Sequence, residues 1–389
     1  IKDKMSKIPT IAMIPSGYKA NKVYSVLPTN GDADLSFSRT SEATRVNQLG
    51  LIETVATGVP RLDYSDGGCP SLLVEPQSTN LITYSEDFSN GAYVKDAGIT
   101  VPTQNNLSPK GDLTASEISA TNDGRIYQNT SSGTYTTSVF IKAGSFSNFK
   151  VGTSSVDLVA KTTSLAGSNI TEFANGWFRV DVPFTGTRPF QVQAYPDNTY
   201  APHTTTGNYF LWGAQVEQGS YATSYIPTSG GTATRDTENC SKTGLGSYIN
   251  SSEGVLYAEI SALNDDTTPV FISLSDNTTN NRICIYFQDT RIRGFIIQNI
   301  TPTLTFSNTT VDVSLFHKIA ISYTNNEAKM FIDGSFISSI DLTSTAFSSS
   351  LKDVRFDNGG GGTPLYGKVK DLRVYNQALT DQELQELTS

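Results

Sequence analysis

Residues 367–389 read GKVKDLRVYNQALTDQELQELTS, and this closing stretch decides the fold class. Val369, Leu372, Val374 and Tyr375 supply the apolar positions of a strand that runs into a turn. Thr380 and Glu383 then stand three apart. At that spacing an N-cap hydroxyl and an N3 carboxylate satisfy each other's backbone N–H groups, so a helix starts here. Leu379, Leu384 and Leu387 give the helix one apolar side, which has to be buried against a sheet. The order strand, turn, helix predicts a terminal helix that lies on a sheet.

Working back from this end, residues 237–389 hold a series of short strand-like runs. VLYAEI (255–260) opens it. Residues 270–274, 283–287 and 294–297 follow, then HKIAISY (317–323) and AKMFI (328–332). Asp333-Gly334 is a two-residue hairpin turn of the favoured kind. Residues 86–236 alternate as well, in TTSVFIK (136–142), WFRVDV (177–182) and YFLW (209–212). Breaks at Asn175-Gly176 and Pro196-Asp197-Asn198 separate these runs, and their spacing predicts a second sandwich, similar to a carbohydrate-binding module. Residues 1–85 are irregular, with repeated Pro, Gly and Asn, and with Arg39, Arg45 and Arg61 near acidic residues. They read as an attachment arm that packs on something else and has no core of its own. The expected fold is mainly β: an N-terminal arm (1–85), a β-sandwich (86–236) and a jelly roll (237–389).

Composition narrows the function classes. Only 17% of residues are charged, and the net charge is -9 with no basic stripe. Both features argue against a nucleic-acid partner and against anionic membranes. No apolar run reaches bilayer-spanning length, so no membrane insertion is expected. The start, IKDKMSKIPTIAMIP, is too short and proline-broken for a signal peptide; it reads as initiation near Met5 or as a cleaved end at Ile1. Cys69, Cys240 and Cys284 are odd in number and far apart, which predicts free thiols and synthesis in a reducing cytoplasm.

Two resemblances extend this reading. The run 317–323, the hairpin after Met330 at Asp333-Gly334, and the closing Gly-x-hydrophobic-x-Asp strand from Gly367 resemble laminin G-like, concanavalin A-like lectin modules. That resemblance implies a jelly roll that binds sugars or proteins. IPSGYKANKVYSVLP (14–28), FSRTSEATRVNQLGLIETV (37–55), VPRLDYSDGGCPSLLVEPQSTNLITYSEDFS (59–89) and LWGAQVEQGSYATSYIPT (211–228) are colinear with segments of bacteriophage fibre and spike proteins, head or tail. This second resemblance implies a virion-surface protein made in the host cytoplasm. It further implies a homotrimer whose N-terminal part contacts capsid or tail proteins and whose distal sandwich faces host-surface glycans.

Catalytic patterns are missing where they were sought. Only His203 and His317 could serve a serine nucleophile; the first sits in a Pro- and Thr-rich loop, the second alternates with apolar residues. No Gly-x-Ser-x-Gly elbow or zinc-ligand spacing occurs. Residues 362–368, GTPLYGK, have phosphate-loop spacing. Val369 replaces the magnesium-binding hydroxyl and a strand follows in place of the helix, so the match is accidental. Phe140 to Phe146 is similar to a Lys-Ala-Gly strand of alginate lyases, without that family's histidine. Glycan hydrolysis needs two carboxylates about 5–5.5 Å apart; Glu259 and Asp341 have no acidic companion on their own strands, which leaves a depolymerase only if two strands supply the pair. The expectation is a non-enzyme.

For binding, Trp177 and Trp212 lie inside strand patterns and read as core. Tyr200, Tyr221 and Tyr225 lie at loops or strand ends; the last two fall in a fibre-like segment, where an architectural role is expected. Three polar loops are expected to cluster at one end of the last sandwich: Asn264-Asp265-Asp266, Asp276-Asn277 and Asp357-Asn358-Gly359-Gly360. Such oxygen-rich loops read as Ca²⁺ ligands or as ordinary solvated turns; they are the expected ligand site, since binding residues concentrate on loops held by rigid scaffolds. Alternatives to host-glycan adhesion are pure capsid or tail decoration and the depolymerase.

Overall fold

The computed structural model describes residues 7–265, 267–299, 303–342 and 347–389. Short antiparallel strands dominate, and the one α-helix among these residues is the last element, Asp381–Thr388. Its capping box forms as the sequence predicts: Glu383 N–H donates to the Thr380 hydroxyl, and Thr380 N–H donates to the Glu383 carboxylate. Leu379, Leu384 and Leu387 pack with Val255, Tyr257, Ala320, Phe331 and Tyr375 on the outer face of a sheet.

The chain divides into two compact units. The first unites Ile1–Thr40, Thr57–Pro76 and Thr237–Ser389; the second unites Ser41–Ala56 and Gln77–Asp236. This corrects the expected three-zone order, because the residues read as a separate arm are divided between the two units. Strand Ile11–Met13 pairs with the closing strand Gly367–Tyr375, Ile11 opposite Val374. Strand Ser71–Val74 pairs with that same strand at Gly367 to Val369. Strand Leu35–Ser38 pairs with Asn239–Lys242. These strands are only three or four residues long, too short for an apolar pattern to mark them in the sequence.

In the first unit, one sheet orders strands Ser335–Asp341, Glu327–Ile332, His317–Tyr323, Gly254–Ala262, Gly367–Tyr375, Ser71–Val74 and Arg61–Asp63. The other runs from Tyr18–Lys19 through Leu35–Ser38, Asn239–Lys242, Asp353–Arg355, Val270–Ser275 and Arg282–Gln288 to Arg291–Ile297 and Thr303–Thr305. Ile11, Met13, Phe37, Leu72 and Val74 join Leu256, Ile272, Ile285, Ile319 and Val374 in one core. Asp333 and Gly334 both take positive φ (48° and 78°), the geometry of the favoured hairpin turn. Gly367 has a different reason: a Cβ there would lie 2.1 Å from the Ser261 carbonyl oxygen. Close strand approach, and not turning, requires that glycine.

The second unit is a sandwich of two six-stranded sheets. Ile126, Phe149, Val151 and Val192 of one sheet meet Ile118, Ile141, Val182 and Leu211 of the other. On the second sheet's outer side Trp177 and Trp212 pack with Phe140, Tyr225, Val46 and Ile52. Each indole N–H is satisfied at 3.0 Å, by the Leu107 carbonyl and the Thr114 hydroxyl.

A buried ionic network ties the N-terminal segments into the first unit. Glu238 accepts from Arg39 Nη1 at 2.6 Å, from Arg61 Nε at 2.8 Å and from the Glu75 backbone N–H at 2.9 Å. Arg61 Nη2 also donates to Glu238, and Arg61 Nη1 reaches Glu75 at 2.6 Å. Burial alone would favour a neutral Arg61; Glu238 and Glu75 outweigh it and raise the guanidinium's pKa. Replacing Glu238 with Gln leaves two buried guanidinium groups short of charge. We expect a loss of about 3–5 kcal/mol of unfolding free energy, measured by chemical denaturation.

Candidate functional site

The outer face of the sheet running from Tyr18–Lys19 to Thr303–Thr305 carries the most site-like chemistry of the first unit. Strand Val270–Ser275 sends Ile272 and Leu274 to the core and leaves Phe271, Ser273 and Ser275 on the other side. Pairing sets Ser273 opposite Cys284, and Cys284 opposite Phe295. Phe271 stacks on Tyr286, with centroids 4.7 Å apart and planes at 17°, and Phe295 meets both rings edge-on. Tyr286 is the half-exposed ring of the three. The Arg282 guanidinium lies 4.9 Å from the Phe295 centroid, a cation–π placement that holds it over the face. Cys284 is fully enclosed, and burial pushes its thiol well above the ordinary range; it is no nucleophile.

The glycine-rich loop 357–362 bends onto this face. Ser273 Oγ donates to the Asp357 carbonyl at 2.8 Å, and Ser275 Oγ to the Gly359 carbonyl at 3.0 Å. Arg282 donates to the Asn358 carbonyl. Positive φ at Gly359 (94°) and Gly361 (91°) allows the bend. The Asp357 carboxylate accepts from Arg355 Nε at 3.0 Å, and from the N–H groups of Gly359 and Gly361 at 2.7 and 3.2 Å. Arg355 Nη1 spans to Asn277 Oδ1 at 2.8 Å. Asn358 Oδ1 accepts from the N–H groups of Gly360 and Gly362.

Two of the three expected loops therefore meet, joined by Arg355, an arginine the sequence reading did not single out. The third does not join them. Asn264 and Asp265 precede strand Val270–Ser275, whereas Asp276 and Asn277 follow it. A six-residue strand is about 20 Å long, so the loops occupy opposite ends. Asp265 instead lines a cleft of about 540 Å³ with Thr290, Thr310, Asp312 and Ser314. Asp266 lies outside the described residues.

The oxygens expected to ligate Ca²⁺ are already engaged. Asp276 accepts from Thr278 and Asn281, and Asp357 faces Arg355, a cation already in place. Among the described residues no three His, Cys, Asp or Glu side chains cluster as a metal site.

Neither histidine has a nitrogen free to act as a base. His317 Nδ1 faces Asp333 at 2.6 Å and its Nε2 faces the Asp312 carbonyl at 2.9 Å. His203 Nε2 meets the Ala194 carbonyl, and its Nδ1 accepts from Thr205 N–H. Across strands, the register does set Glu259 opposite Asp371, with Lys318 opposite Glu259 on the other side. Burial raises the Asp371 carboxyl above its ordinary range against the pull of Arg373, which donates to both its oxygens. Both carboxyl oxygens of Asp371 are thereby occupied by Arg373. Lys368, in the loop of phosphate-like spacing, donates to Asp66 and Ser65 from the strand that takes the place of a helix.

Residues 256–385 match the family model described as the concanavalin A-like lectin/glucanases superfamily. No curated relative matches the chain. Among solved structures it is similar to the CBM40 of a Ruminococcus gnavus IT-sialidase bound to alpha2,3 sialyllactose, at 16% identity and a TM-score of 0.31. That match covers 36% of this chain and 83% of the other. A heptameric SAP-like pentraxin from Limulus polyphemus aligns at 14% identity and a TM-score of 0.30, over 35% of this chain and 70% of the pentraxin. The receptor binding domain of a botulinum neurotoxin C/D mosaic serotype aligns at 10% identity and a TM-score of 0.31, over 39% and 40%.

Arg355 is the keystone of the loop. In the Arg355→Ala variant Asp357 loses its cation and Asn277 its donor. We expect about 1–3 kcal/mol lower stability by denaturant titration, and faster proteolytic nicking within residues 357–362.

Proposed function

We propose that this chain is a non-enzymatic adhesion subunit that binds a glycan on the outer sheet face of its lectin-like unit. The half-exposed Tyr286 ring, backed by Phe271 and flanked by Arg282 and Arg293, carries the reading. A sugar offers an apolar face and a rim of hydroxyls. An aromatic ring meets the first, and guanidinium and backbone groups meet the second. The ring is fixed by stacking and the loop by internal hydrogen bonds, so little order has to be imposed on binding. The engaged histidines support a binding role over base-assisted chemistry.

The fibre-like segments support a place on a virion, as a homotrimer attached to capsid or tail proteins and directed at host-surface glycans. Trivalency would raise a weak single-site affinity. The N-terminal segments are ordered by their own chain, so the trimer rests on the resemblance alone. Static light scattering should give three times the chain mass, and a monomer at micromolar concentration would remove the trimer from this reading.

Labelled full-length protein should bind a subset of an array of bacterial surface polysaccharides, and periodate treatment of the array should abolish the signal. Tyr286→Ala should weaken binding roughly tenfold, the loss of one stacking contact of about 1–1.5 kcal/mol, whereas Tyr286→Phe should retain it. A folded protein that binds no glycan before periodate would overturn the proposal.

A further inference from the structure

The second unit presents an open sheet face with a chemistry of its own. In the sheet formed by Val94–Lys95, Arg125–Gln128, Phe190–Tyr195, Asn148–Val151, Ser154–Asp157 and Thr162–Thr163, the apolar side chains Ile126, Phe190, Val192, Phe149, Val151 and Val156 enter the core. Alternation sends Arg125, Tyr127, Gln191, Gln193, Tyr195, Asn148 and Lys150 to the other side. The pairings align Tyr127 with Gln191, Arg125 with Gln193 and Lys150, and Tyr195 with Asn148. The three central strands carry two cations and no carboxylate, in a chain whose net charge is -9.

Three cations lie over rings here, Arg125 over Tyr127 at 5.8 Å among them. Lys150 Nζ lies 5.1 Å from the Tyr195 centroid, and the Arg188 guanidinium lies 4.0 Å from that of Tyr127. Neither has a carboxylate partner among the described residues. Arg125, by contrast, pairs with Asp96 at 2.7 Å. Burial pushes the Tyr195 phenol up to about 12, so its ring stays neutral beneath Lys150. Lys150 and Tyr127 stand two strands and two residues apart, about 12 Å from sheet spacings, which suits a short oligosaccharide. Between and beside them lie amides. Gln191 donates to the Gly152 carbonyl at 2.6 Å and keeps its own carbonyl available. Asn148 is 8% exposed, and its Oδ1 has no partner. One wall is the loop after residue 195, where Tyr200 holds φ at +53° and packs edge-on against Tyr195. Strain of this kind in a non-glycine residue concentrates at ligand clamps.

We propose that this face is a second saccharide site, selective for sugars that carry an isolated acidic group. The acid of the sugar is met by Arg188 at one end or by Lys150 at the other, and its hydroxyls by Gln191 and Gln193. Oriented guanidinium and ammonium donors make charge-assisted hydrogen bonds to such a group, about twice as strong as neutral ones. The net negative charge of the chain disfavours a densely charged polyanion, so sparse acid groups on an otherwise neutral glycan fit best. Of the acidic side chains near the face, Asp157 accepts the N–H groups of Val159 and Ala160; Asp123 lies in the adjoining turn, where its backbone carbonyl accepts from Gln193 and its charge adds to the rise of the Tyr195 phenol. The site uses residues of the second unit alone and stands whether or not the first unit binds a glycan.

The test uses the full chain and a panel of uronic-acid-containing bacterial oligosaccharides, each also presented after carboxyl reduction to the neutral hexose. Binding to native members that falls at least about tenfold on reduction is expected from the loss of charge-assisted bonds. Lys150→Gln with Arg188→Gln should match that loss in the wild-type and the Tyr286→Ala background alike, and Lys150→Arg should preserve binding. An unaltered melting curve confirms that the double variant folds; if it does not fold, the native-against-reduced comparison and Lys150→Arg decide. Equal binding of native and reduced panels, full binding by the folded double variant, or no binding to any member overturns the site.

Discussion

Glu238 is the constraint on which the first unit depends. It draws Arg39 and Arg61 to one carboxylate and accepts the Glu75 backbone besides, so three segments far apart in sequence converge on a few atoms. A buried network of this kind is poor value as raw stability, because desolvation consumes much of its attraction. Its effect is on register. A one-residue slip of a strand would move each charge to the wrong face, leaving charges buried without partners. The N-terminal segments have few apolar positions with which to choose a partner strand, and the network makes that choice for them.

The second unit uses a similar device built on side-chain hydrogen bonds. Asn80 donates to the carbonyls of Ala214 and Ile226 and accepts from Val216 N–H. Glu217 accepts from Gln215 and Thr223, and Tyr225 hydroxyl meets Ser85 and Glu86. These residues fall in two stretches far apart in the chain, 80–86 and 214–226. Each is a buried polar connector, and replacing any one strands its partners. Tyr225 is accordingly architectural within its own unit.

The candidate sites follow from sheets whose two sides do different work. In the first unit the aromatic and arginine face escapes sequence reading because VFISLS, RICIYFQ and RIRGFII are apolar on both sides of the strand. Period-two alternation separates inside from outside only when one side is polar. In the second unit RIYQ, FQVQAY and NFKV alternate legibly, but their lateral order comes from pairings between strands distant in the chain, and the seating of Lys150 and Arg188 on two tyrosines is a consequence of that order.

Local physics settled much in the sequence alone. The Thr380–Glu383 box, the Asp333-Gly334 turn and the runs of the later strands depend on neighbours within a few residues, and they form as read. The polar loops at Asp276 and Asp357 were legible as loops for the same reason. Their grouping was not: whether two loops share an end of a sandwich depends on which strands they flank, and Asp265 sits a strand's length from Asp276. The division of residues 1–85 between two units was equally hidden, because a strand of three or four residues carries too little apolar pattern to name its partner. Only the assembled sheets, with Glu238 holding their register, supply that information, since long-range pairing is decided by burial of surfaces that the chain creates only when it folds.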